Sequence, residues 1–266
     1  MELREKAIRG LDLSGLLIID SHTHLGVHTP GNPSARNMIH LMDEVGIRKC
    51  VNSSWVALFS DCAIGNGMVH QAMQEVPDRI IGLCVINPHY PDEIVPEMEK
   101  RMTQGFVGAK IEPFLSKYSA DGRNYHLLYE YANQHSLIVK VHTYKDGNPG
   151  NYVNHPELLD DIAAKYRNVR FILAHAGGAP AGFEESIRLA RKHENIYLEV
   201  GSTLLFTSFW LKKILDGVGS DDRICYGSDS VIYDPRPALG EVLYAKIPDA
   251  SKEKILGLNM DKLLKR

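Results

Sequence analysis

Short apolar runs alternate with amphipathic stretches along nearly the whole 266-residue chain. The first run, Leu16 to Ile19, is unbroken, as expected of a strand buried on both faces of a parallel sheet. Ser34 can cap a helix that places Met38, Leu41, Met42 and Val45 at helical spacing, and Gly46 ends it. Further strands are predicted at 47–55, 79–87, 106–112, 137–142, 169–174, 196–200 and 223–226. Helices are predicted between them at 61–75, 92–104, 121–135, 155–167 and 184–192, with another centred on Trp210. Pro96 and Pro156 fall early in their helices, where proline is best tolerated. The tail, 251–266, reads as two short closing helices around Asn259.

Strand ends recur about every thirty residues, the length of a strand, a loop and a returning helix. No composition break divides the units, so residues 1–266 are expected to form one α/β domain, a single (β/α)8 barrel. A doubly wound open sheet is the alternative. It would carry a glycine-rich phosphate loop after its first strand, and that loop is missing from the sequence.

In a parallel barrel the active site lies at the carboxyl ends of the strands. These ends carry unusual polar cargo. Strand one gives Asp20, His22 and His24. Side chains alternate along a strand, so all three should share a face, with the two imidazoles about 7 Å apart and able to share one divalent cation. Strand four gives Lys110 and Glu112, strand five His142, strand six His175 and strand eight Asp229. One histidine after an apolar run is usually a satisfied core residue. Polar ends on five strands point to a site.

Composition narrows the setting. An apolar fraction of 44% and a charged fraction of 24% are ordinary globular values. A net charge of -3 offers no general attraction to nucleic acid or anionic membrane. No apolar run approaches the roughly 18 residues of a membrane span. The opening Met1-Glu-Leu-Arg-Glu-Lys lacks the apolar core of a signal peptide, so a cytoplasmic protein is expected. Cys50, Cys84 and Cys225 fall in predicted buried strands, and no Cys-x-x-Cys spacing occurs, which suits reduced structural thiols.

The set His22-x-His24, His142, His175 and Asp229, in this order on successive strands, resembles the amidohydrolase superfamily. The phrases Gly-Phe-Val-Gly-Ala-Lys, His-Ala-Gly-Gly and Tyr-Gly-Ser-Asp resemble its amidohydrolase-2 branch. That branch includes metal hydrolases, lactonases and enzymes of the aminocarboxymuconate-semialdehyde decarboxylase type. The resemblance implies that His22, His24, His142 and Asp229 hold a divalent metal, most often zinc, and these borderline ligands suit it. It further implies that Asp229 accepts a proton from metal-activated water, and that His175 orients the water or polarises a carbonyl. Lys110, carbamylated, or Glu112 bridges two metals in some superfamily members; the alternative is a plain Lys110–Glu112 ion pair beside one tight metal. Asp20 is expected to serve as a supporting acceptor or a barrel-floor residue.

The strand-to-helix loops offer His28, Trp55, His89, Tyr118, Tyr144, Lys145 and Arg236 as substrate contacts. Arg236 or Lys145 could hold a substrate carboxylate; Arg36 is a weaker candidate, on the solvent face of its helix. The leading expectation is a metal-dependent hydrolase acting on a carbonyl-centred C–N or C–O bond of a small molecule. A non-oxidative decarboxylase of an unsaturated or aromatic acid, using the same residues, is the alternative. Neither needs nucleic acid or membrane, and a homo-oligomer is left open.

Overall fold

The computed structural model describes residues 2–10, 13–26, 35–201 and 208–265. The strands within them are β1 (Ile19–Leu25), β2 (Lys49–Ser54), β3 (Ile80–Gly82), β4 (Cys84–Val85), β5 (Gly108–Ile111), β6 (Ile138–His142), β7 (Arg170–Ala174), β8 (Ile196–Val200) and β9 (Ile224–Tyr226). All pair in parallel with their neighbours in sequence, in two runs, β1-β2-β3 and β4 through β9.

The two runs meet at both edges. Only Leu83 separates β3 from β4, and its N–H donates to the Asn52 carbonyl (2.8 Å), so the two act as one bent stave. At the other edge Thr23 bridges Ser230 in parallel, and the Asp229 N–H donates to the His22 carbonyl (2.8 Å). This is the circular neighbour order of a (β/α)8 barrel, with returning helices such as Cys62–Glu75, Pro91–Thr103, Tyr125–Gln134 and Pro180–Lys192 around it.

A small inner cluster fills the barrel floor: Ile19, Val51, Leu83, Ile138, Ile172, Tyr197 and Cys225, closed below by Met260 and Leu263 of the tail. The tail is two short helices, Asp249–Glu253 and Asn259–Leu264, joined by a wider turn at Lys254–Leu258. Two residues beyond the floor on each strand lies a second layer. From Ile138 this layer is reached at Lys140, and from Tyr197 at Glu199. Two further residues along β6 comes His142, in the layer of imidazoles. Strand periodicity thus stacks an apolar floor, a buried charged layer and a functional rim.

Several predicted elements shift. The first strand begins at Ile19 rather than Leu16 and carries His22 and His24 within it. Its register against β2 slips between Asp20 and Thr23, a bulge that breaks simple alternation. Trp55 leaves its predicted strand to open the helix Trp55–Phe59, whose N-cap Ser54 accepts from Val56 and Ala57 N–H. The predicted helix at 155–167 is a 3-10 turn, Pro156–Leu159, followed by Asp160–Lys165. All four cysteines are free thiols, and no helix among the described residues is long and apolar enough to cross a membrane.

Candidate metal centre

The rim is built from strand ends whose backbones hold the side chains inward. His22 and His24 lie together, ring centroids 5.0 Å apart and edge to face. Asp229 follows β9 in left-handed conformation (φ 61°), and this turn brings its Oδ1 to 3.1 Å from His24 Nε2 and 3.5 Å from His22 Nε2. His175 follows β7, also left-handed (φ 62°), as are Ala176, Gly177 and Gly178 after it. Such conformations cost about 1–3 kcal/mol for a residue with a side chain and persist where surroundings enforce them. Here Thr143 does so: its hydroxyl donates to the Ala174 carbonyl (2.7 Å) and accepts from Gly177 N–H (3.1 Å).

Three histidines of the rim, His22, His24 and His142, have Nδ1 engaged elsewhere. His24 Nδ1 lies 2.9 Å from the Ser53 carbonyl, which can only accept, so this nitrogen carries the proton. His22 Nδ1 lies 2.7 Å from Glu199 Oε2. His142 Nδ1 lies 3.2 Å from Glu112 Oε2. A neutral imidazole protonated at Nδ1 presents a bare lone pair at Nε2. Two such lone pairs, on His22 and His24, converge on the Asp229 carboxylate oxygen. His22 Nε2 is buried and has no hydrogen-bond partner. Lone pairs facing a carboxylate with no proton between them repel; a cation resolves the conflict. The donor set therefore fits a divalent metal.

Charge states agree with this reading. Burial pushes the pKa values of His22, His142 and His175 below the ordinary imidazole range, favouring neutral rings. Burial alone would raise the Asp229 carboxyl; positive charge in its surroundings, on the imidazoles or on an ion between them, holds it below the usual carboxylate range. Glu112 is pushed up to about 7 by burial, partly opposed by the Lys110 ammonium, 3.4 Å away.

Among the described residues, the tight groups of possible ligands are His22, His24 and Asp229, and His22, His175 and Glu199. His142 belongs to neither; its ring packs edge to face on His175, centroids 4.8 Å apart. Lys110 and Glu112 come together as an ion pair whose carboxylate also reaches His142. Asp20 does not share the face of the histidines. Its carboxylate turns away at the bulge and accepts from the N–H groups of His22 (3.0 Å) and Ser228 (2.9 Å) and from the Ser228 hydroxyl (2.5 Å).

Two residues of this site escaped the sequence reading. Glu199 and Lys140 are both fully buried charges within apolar strands. Burial pushes the Lys140 ammonium down to about 8, against the pull of Glu199. A charge interrupting Ile-Tyr-Leu-Glu-Val or Ile-Val-Lys-Val-His was the available signal.

The loop candidates divide. The Trp55 indole packs edge to face on His24 (5.4 Å) and tilted on Phe59 (4.4 Å), so it walls the rim. Tyr144 packs over Gly178, where any Cβ would lie 1.9 Å from its ring. Lys145 is paired with Glu157 (2.5 Å), and Arg236 with Asp234 (2.6 Å) and Glu44 (3.0 Å), so neither awaits a substrate carboxylate. His89 bonds the Ser116 carbonyl (2.7 Å) with its ring against Tyr118. Arg36 is exposed, and His28 lies outside the described residues.

Comparison with known proteins follows the same lines. The fold is similar to 2,6-dihydroxybenzoate decarboxylase from Rhizobium, with TM-score 0.73 and 16% identity over 94% of this chain and 98% of that one. It is similar to 5-carboxyvanillate decarboxylase from Novosphingobium aromaticivorans complexed with manganese and 4-hydroxy-3-methoxy-5-nitrobenzoic acid (0.73, 15%, 96% and 97%). It is also similar to 4-oxalomesaconate hydratase from Rhodopseudomonas palustris (0.68, 16%, 94% and 96%). No curated protein matches in sequence. The family profile described as amidohydrolase (Amidohydro_2) matches residues 19–266. With its barrel and strand-end histidines, the chain belongs to the amidohydrolase family, in its Amidohydro_2 branch.

Proposed function

We propose that this chain is a divalent-metal-dependent enzyme that removes carbon dioxide, without oxidation, from a small unsaturated or aromatic carboxylic acid. The metal part is carried by one observation: Nε2 of His22 and of His24 both lie within 3.5 Å of Asp229 Oδ1 while Nδ1 of each ring is engaged elsewhere. The proposed ligands are His22, His24 and Asp229, joined by His142, whose engaged Nδ1 leaves Nε2 for the metal. A divalent ion there would neutralise a substrate carboxylate and polarise a neighbouring oxygen.

Support for decarboxylation comes from the wall and from the company the fold keeps. Trp55 offers aromatic surface beside His24, with Phe59 packed on Trp55, suited to a planar acid. Dihydroxybenzoate and carboxyvanillate decarboxylases are among the similar folds. When the carbon–carboxylate bond breaks, its electron pair stays on carbon and must take up a proton. We assign relay of that proton from water to His175, whose neutral imidazole can donate from one ring nitrogen while taking up a proton at the other and whose ring lies 5.1 Å from that of His22. Glu112 and Lys110 act beneath His142 as an orienting pair, with one tight metal per chain.

Hydrolysis is the second reading. The observation that favours it is Asp229 itself, an ionised carboxylate at the metal cage able to take a proton from an attacking water. One experiment separates the two. Protein loaded with manganese or zinc is given hydroxybenzoates, unsaturated acids, lactones and amides in labelled water. Carbon dioxide release with a new C–H bond supports decarboxylation; labelled oxygen in the product with no carbon dioxide supports hydrolysis. Protein that binds neither ion removes both.

A further inference from the structure

We propose that Glu199 is a positioning residue for this metal centre: it holds His22 in the tautomer that presents Nε2 to the metal. The inference rests on the metal assignment above and goes beyond the ligands to the group behind them. Glu199 is fully buried near the end of β8, and its Oε2 gathers three partners. His22 Nδ1 lies 2.7 Å away, the His175 backbone N–H donates from 3.3 Å, and Lys140 Nζ lies 3.6 Å away. The shortest contact is the one to His22. A carboxylate can only accept, so it selects the Nδ1–H form and directs the lone pair outward.

Two further features fix the pair in place. Lys140 Nζ donates to the Ser21 carbonyl (2.5 Å), so one ammonium ties the carboxylate to the backbone just ahead of His22. Gly227 lies against both side chains: a Cβ there would sit 2.8 Å from Glu199 Cδ and 2.8 Å from His22 Cβ. The glycine of Tyr-Gly-Ser-Asp thus leaves room for the His22–Glu199 contact. A plain counter-ion for Lys140 would need neither the close contact to His22 nor that empty space.

The test reads metal affinity and tautomer separately. Manganese binding is titrated against a chelator, and the His22 tautomer is read by 15N NMR in metal-free protein. Glu199→Ala should weaken manganese binding tenfold to a hundredfold and admit the Nε2–H form of His22. Glu199→Gln, which keeps an accepting oxygen, should restore affinity to within about threefold of wild type. The paired change Lys140→Met with Glu199→Met removes both charges, so it keeps the test alive if Glu199→Ala fails to fold; it should fold and still bind weakly. Wild-type affinity and an unchanged tautomer in either Glu199→Ala or the paired variant would overturn the inference. If wild type binds no manganese, the metal assignment fails, while the His22 tautomer still judges Glu199.

Discussion

Asp20 and Ser228 clasp the first and last strands of the barrel, the Ser228 N–H and hydroxyl both donating to one buried carboxylate. The contact lies directly behind His22 and Asp229, so the seam and the site share a foundation. Asp20→Ala leaves three buried donors without an acceptor and should cost about 3 kcal/mol. The check is chemical denaturation with and without manganese: the metal-free protein should lose the full amount. A loss under 1 kcal/mol would show that the seam does not depend on this carboxylate.

Asp229→Asn keeps a similar shape but removes the charge between the two imidazoles. Turnover should fall a hundredfold or more, about 3 kcal/mol, while elemental analysis shows reduced metal content. His22→Ala and His142→Ala should lose most bound metal yet fold, because the apolar floor lies below them. Full metal occupancy in both histidine variants would dismantle the ligand assignment.

Gly177→Ala tests the turn behind His175. The residue has φ 91°, and a Cβ would sit 2.4 Å from the Gly182 backbone. No flexible side chain can yield there. We expect a stability loss of about 2 kcal/mol or more and a fall in turnover larger than the fall in metal affinity. Equal losses in both would mean that the turn supports the whole rim rather than His175.

An acid limb should appear in stability. Burial alone would raise the Asp160 carboxyl, but Lys192, His193 and Arg188 donate to it and hold it below the ordinary range. A depressed carboxyl stabilises the fold above its unfolded pKa, near 4, and that contribution disappears as pH falls through the lower folded value. Asp160→Asn should therefore be less stable than wild type at pH 7, and the gap should close in strong acid. A gap independent of pH would assign the effect to packing. Asp160 is half-buried but its partners Arg188 and Lys192 are exposed, so the difference should be modest and should shrink in salt.

How far these features could be read from the chain depended on what each one required. Apolar runs at a constant spacing imply a barrel, because a parallel strand needs a returning helix. His22, His24 and Asp229 were legible as a candidate ligand group, which the fold brings together, because their types and strand-end positions suffice. Asp20 misled, since alternation assumes an unbroken pleat and the bulge at Ser21 and His22 breaks it. The partner of each Nδ1 was out of reach, because Ser53, Glu112 and Glu199 come from other strands and depend on register. Lys140 and Glu199 were hidden for a simpler reason: each sits in a strand already accounted for by its apolar neighbours.

The proposed metal cage joins residues far apart in the sequence, His22 and His24 on β1 and Asp229 just past β9. During synthesis the two histidines emerge first and must wait for almost the entire barrel before their carboxylate exists. A chain stalled or cut before Asp229 can hold its strand-one imidazoles but cannot complete the cage. Under the proposed ligand assignment, metal uptake would report that the first and last strands have met.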